Sequence, residues 1–71
     1  MKVYVVEHGA DFEGSNIIVI SDTLKKALNA ALKFMQETSM PWQINEQNKE
    51  AYLREWECGS TYITITAYDL V

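Results

Sequence analysis

Cysteine is almost absent. Cys58 is the single one in 71 residues, so no internal disulfide can form and cysteine offers no argument for secretion. Basic residues are also scarce. Six Lys and Arg stand against ten Asp and Glu, for a net charge of -4 and a pI near 4.7. That balance argues against generic binding to a phosphate backbone, which favours basic surfaces. No apolar run is longer than Ile17 to Ile20, far short of the ~20 residues that span a bilayer. The chain opens in a strand-like run without the layout of a signal peptide. The expectation is a soluble, cytoplasmic protein. Gly-rich phosphate loops, nucleophile elbows, paired-carboxylate motifs, internal repeats, linkers and low-complexity segments are missing as well.

What is present is ordinary for a globular chain: 48% apolar and 23% charged residues, too apolar for disorder. The length allows one domain, 1–71, with one small core. Its organising stretch is Ser21 to Glu37. There Leu24, Leu28, Ala31 and Met35 recur at helical spacing, with Ala27 and Leu32 beside them. Lys25, Lys26, Asn29, Lys33 and Gln36 fill the opposite side, which predicts an amphipathic helix. Its interior holds no Gly, Pro or β-branched residue. Ser21 or Asp22 is the expected N-cap, and Thr38, Ser39 and Pro41 end the helix. Lys25 and Lys26 near the start and Glu37 near the end oppose the helix dipole. Tertiary burial must therefore supply most of the stability.

Lys2 to Glu7 reads as a strand, His8 to Ser15 as a loop, and Asn16 to Ile20 as a second strand. The part from Thr38 to Asn48 has no readable period; Met40, Trp42 and Ile44 are its expected anchors. Glu46 to Trp56 suits a short helix or a strand, and a strand from near Leu53 is the preferred reading. Glu57 to Ser60 makes a turn. Thr61 to Val71 is the clearest strand, with Ile63, Ile65 and Ala67 alternating with Tyr62, Thr64, Thr66 and Tyr68. The predicted fold is a small α+β domain of order ββαββ: a four-stranded antiparallel sheet with one helix on one face. Val3, Val5, Ile63 and Ile65 are expected to face the helix. Tyr4, Val6, Tyr62 and Tyr68 are then expected to face away, as an aromatic contact surface. The competing expectation is that Trp42 and the Met40 region fold back over those rings.

The candidate chemistry is thin. His8 has Glu7, Asp11 and Glu13 nearby but no second histidine and no nucleophile signature, so a solvated strand-end histidine is expected. Cys58 has Glu57 and Glu55 as neighbours, which oppose thiolate formation. Asp11, Glu13, Ser15 and Asp22 partly follow a calcium loop, but the glycine falls at the wrong position. No metal and no cofactor is expected. The acids Glu46, Glu50, Glu55, Glu57 and Asp69 crowd the last third against only Lys49 and Arg54. Such a patch suits a basic groove on another protein, or simply solubility.

The segments Val3 to Gly9 (VYVVEHG), Ile20 to Ala27 (ISDTLKKA) and Trp56 to Leu70 (WECGSTYITITAYDL) together resemble an uncharacterised family of small bacterial and phage proteins. The resemblance implies a bacterial or phage cytosolic setting, where many compact acidic proteins block a host protein. It transfers no functional residue. The function expected is therefore a non-enzymatic protein-binding module, read as a phage-borne inhibitor of a defence complex, CRISPR-type or another nuclease. Tyr62, Tyr68, Glu55, Glu57 and Asp69 are its candidate contacts. The alternative is a homo-oligomer holding a small ligand between paired sheet faces.

Overall fold

A computed structural model describes residues 1–46 and 52–70. The expectations for 47–51, including Glu50 as part of the acidic set, fall outside the described residues. The chain runs β1 (Lys2–Ala10), β2 (Gly14–Ser21), α1 (Leu24–Thr38), β3 (Gln43–Ile44), β4 (Arg54–Cys58) and β5 (Thr61–Asp69). The strands form one antiparallel sheet in the order β2-β1-β5-β4-β3. The sheet thus has five strands and the order is ββαβββ, which overturns the four-stranded ββαββ expectation. The extra strand is β3. It pairs only Gln43 with Glu57 and Ile44 with Trp56, and two residues are too few to display an alternation.

The helix forms as its periodicity predicts, but its cap is Thr23, not Ser21 or Asp22. The Thr23 hydroxyl accepts from the Lys26 amide at 3.2 Å. Asp22 instead pairs with the Lys26 ammonium at 3.0 Å, and that hydrogen bond and charge hold its carboxyl below the usual range. The pair is solvent-exposed, so it adds little stability. What it adds is present above the ordinary Asp range and fades as pH falls through the lowered value. At the other end Ser39 takes a left-handed conformation, φ 55°, and its amide donates to Gln36 O at 3.3 Å.

The helix packs on β1, β2 and β5. Cross-strand partners share a face of the sheet. Val6 lies opposite Ile65, and His8 opposite Ile63. Val6, Ile63 and Ile65 join Ala27, Ala31 and Met35 in the core, with Tyr4, Leu24, Leu28, Phe34, Trp42 and Trp56 packed around them. Tyr4 and Val6 therefore face the helix, while Val3 and Val5 face away, the reverse of the expectation for β1. Residues 3–6 are Val, Tyr, Val and Val, so both parities looked apolar, and the register with β5 decides between them.

Strand β2 carries a bulge. Val6 pairs with Val19 but Glu7 pairs with Ile17, which leaves Ile18 as the extra residue. The bulge turns both Ile18 and Val19 toward the core. Ile17 and Ile20 go to the other face.

The expected loop from His8 to Ser15 shrinks to a turn at 11–13, because β1 continues through Gly9 to Ala10. A strand glycine often marks a close approach, and here it does. A Cβ on Gly9 would lie 2.6 Å from Tyr62 Oη, so the tyrosine occupies the space a side chain would need. In the turn, the Glu13 amide donates to Ala10 O at 3.1 Å. Phe12 adopts φ 69° and is fully exposed. A left-handed conformation costs an L-residue about 1–2 kcal/mol, while glycine there gives up about 0.5–1 kcal/mol in chain entropy. Phe12→Gly should therefore raise stability modestly, read as a higher urea midpoint. A lowered midpoint would show that the phenyl ring makes a stabilising contact.

Candidate functional site

The sheet face opposite the helix is the candidate site. Its layout follows from the ladders. One row runs Ile20, Val5, Thr66; the next Ile17, Glu7, Thr64, Glu55; the next Ser15, Gly9, Tyr62, Glu57, Gln43. Val3 and Tyr68 pair at the far end. The β2 side of this face is apolar, with Ile17 and Ile20 each 57% exposed, and Tyr68 on β5 is 51% exposed. The β4 side is acidic. Glu7 and Glu55 flank Thr64 from either side, and Glu57 lies two residues along from Glu55. At strand spacings of about 4.8 Å across and 3.4 Å along, Glu55 lies within ~10 Å of both Glu7 and Glu57, and Glu7 lies ~12 Å from Glu57. Thr64 is buried between them despite its hydroxyl. Asn45 Nδ2 donates to Glu57 Oε2 at 3.2 Å, which fixes that carboxylate. None of the ladder positions on this face is basic.

Of the candidate contacts, Tyr62, Tyr68, Glu55 and Glu57 share this face. Asp69 does not. It pairs with Lys2, and its alternation places it on the helix side of the sheet. Glu7 joins the acidic group although its place in the chain, far from Glu55 and Glu57, gave no hint of it. Only the β1–β5 register reveals that neighbour.

Trp42 and Met40, two of the anchors expected in the segment after the helix, do not fold over the tyrosines. Trp42 packs on the helix side with Trp56, against the core. Its indole N–H donates to Thr38 Oγ1 at 2.8 Å, and that hydroxyl donates to Met35 O at 2.8 Å. Met40 is exposed. Among the described residues the tyrosines therefore have no lid from this part of the chain.

His8 is also on the helix side, half-buried, with its ring 4.9 Å from Phe34 and 6.2 Å from Trp42. It is a packed aromatic within β1 and not the solvated strand-end residue expected. Glu7, next in the chain, points to the opposite face, so it cannot orient the imidazole for proton transfer. Cys58 is a half-buried free thiol. Among the described residues no group of three or more His, Cys, Asp or Glu is placed to hold a metal ion, and no helix is long and apolar enough to cross a membrane. Lys25, Lys26 and Lys33 are exposed on the outer side of α1. The open sheet face thus carries acids without a cation at its ladder positions, whereas the helix side mixes Lys25, Lys26 and Lys33 with Asp22, Glu37 and Asp69.

Among the described residues, the fold is a small α+β domain with the helix on one sheet face and no helix over the other, where Val5 and Thr64 are nonetheless buried. The chain matches no family model, no curated protein and no solved structure.

Proposed function

We propose that this protein is a non-enzymatic protein-binding module whose open sheet face docks on a basic, partly apolar surface of another protein. The observation that carries this reading is the gathering of Tyr62, Tyr68, Glu7, Glu55 and Glu57 on one face, with no basic residue at its ladder positions among the described residues. Tyrosines supply rigid contact area. The carboxylates select a partner of opposite charge and steer its approach. A narrower form follows from the resemblance. The partner is a basic nucleic-acid-handling complex of bacterial defence, CRISPR-type or another nuclease, and the carboxylate array competes with phosphates for its groove.

The alternative, two open faces pairing around a small ligand, is disfavoured by the same charges. Stacking the face on its own copy brings Glu7, Glu55 and Glu57 against like carboxylates.

The test is capture from a bacterial lysate with wild-type and Glu55→Lys/Glu57→Lys baits. Wild type should retain a basic protein, and the charge-reversed bait should retain it at least about tenfold less, with capture falling as salt rises. Equal retention by both baits, or none above the reversed control, overturns the proposal.

A further inference from the structure

The two edges of the sheet are treated differently. At one edge, β3 is only Gln43–Ile44, with Pro41 just before it. A very short strand next to proline is a common means of preventing edge pairing. At the other edge β2 is eight residues long, Gly14–Ser21, and its sequence GSNIIVIS holds no charge and no proline. A strand of that length presents an edge of about 27 Å with unpaired amides and carbonyls. In a chain of net charge -4, this strip between Glu13 and Asp22 is the longest uncharged part of the sheet rim.

The side chains point the same way. Unlike β1 and β5, β2 has no buried residue. Ile17 and Ile20 stay exposed on the open face, and Ile18 and Val19 are only half-buried under the helix. β-branched residues on an edge strand gain burial when a further strand is added beside them. We propose that β2 pairs antiparallel with β2 of a second copy, joining two five-stranded sheets into one. A two-fold axis perpendicular to the sheet relates the copies. It puts both helices on one side, both open faces on the other, and the exposed isoleucines of each copy around the seam. Such an isologous contact closes at a dimer and leaves no free long edge. The bulge at Ile18 is the one blunting feature on this strand, so the contact is short and the dimer concentration-dependent.

This inference does not rest on the proposed function, because Glu55 and Glu57 lie across the sheet from β2. Sedimentation or light scattering of the full chain tests it. Wild type should shift from 8.1 kDa toward twice that mass as concentration rises. Ile17→Lys and Ile20→Lys should stay monomeric at every concentration while keeping the wild-type circular dichroism. Glu55→Lys/Glu57→Lys should dimerise as wild type does. A monomeric wild type throughout the soluble range overturns the proposal, as does a dimer that survives both lysine substitutions. If the lysine variants fail to fold, amide exchange on wild type decides. Protection that rises with concentration within 14–21 supports the pairing. A rise elsewhere, or none, overturns it.

Discussion

Ile65→Ala should leave the protein largely unfolded, or close to it, at room temperature. Ile65 is completely buried between Val6 and the helix residues Ala27, Ala31 and Met35. Truncating a buried Ile costs about 2–5 kcal/mol, from lost transfer energy and the cavity left behind. A single core in a chain this short rarely supplies more than about 3–5 kcal/mol in total. The two quantities are comparable, so one substitution consumes most of the stability. The control is Leu32→Ala. That side chain is 48% exposed on α1, and its loss should cost under about 1 kcal/mol. Urea titrations with unchanged slope measure both. A loss below about 1 kcal/mol at Ile65 would mean that the core is not where this structure puts it.

The second large effect is at Gly9. Glycine in a strand is ordinarily a weakness, and alanine should gain about 0.5–1 kcal/mol by restricting the unfolded chain. Here the new methyl meets Tyr62 Oη at 2.6 Å, Tyr62 Cζ at 2.7 Å and the Gly14 carbonyl oxygen at 2.7 Å. The tyrosine ring can swing aside; the Gly14 carbonyl belongs to the β2 backbone and cannot. Overpacking costs about 1–3 kcal/mol, which exceeds the entropic gain, so Gly9→Ala should destabilise. Tyr62→Ala combined with Gly9→Ala should recover part of that loss but not all, since the carbonyl contact stays. A double-mutant cycle separates the two parts. Full recovery would assign the clash to the ring alone, and a stabilising Gly9→Ala would remove Tyr62 from its seat over the glycine. Because Tyr62 sits on the open face, the displaced ring should also weaken partner capture.

These two positions mark where sequence reasoning reached the fold and where it stopped. The helix was legible because Leu24, Leu28, Ala31 and Met35 repeat without interruption. Thr61 to Asp69 was legible because its apolar and polar residues alternate strictly. Ile65 could be assigned to the core from that pattern alone. Strand β1 could not be oriented, since its aliphatic residues occupy both parities and only the pairing of Val6 with Ile65 breaks the tie. Likewise, the unbroken run from Ile17 to Ile20 concealed a bulge that sends two residues each way. Gly9 read as part of a loop because its compensation, a tyrosine ring from another strand, lies 53 residues away in the chain. The two-residue β3 has no local signature.

The candidate site was legible in the same measure. Tyr62 and Tyr68 follow from the alternation along Thr61 to Asp69; Glu55 and Glu57 stood out only as acids of the last third, and Glu57, expected in a turn, lies in β4. Asp69 shares the parity of Ile63 and Ile65, so the same alternation already places it on the helix side; Glu7 was not legible, because its side depends on the register that β1 adopts.

The separation of Lys25, Lys26 and Lys33 from Glu7, Glu55 and Glu57 has a consequence before any contact is made. A body with acids alone on one face, and lysines mixed with fewer acids on the other, experiences a torque in the field of a charged macromolecule. It rotates during diffusion and reaches a cationic surface already sheet-first, and an anionic one helix-first. Productive collisions then outnumber random ones, most of all in dilute salt, where the field extends furthest.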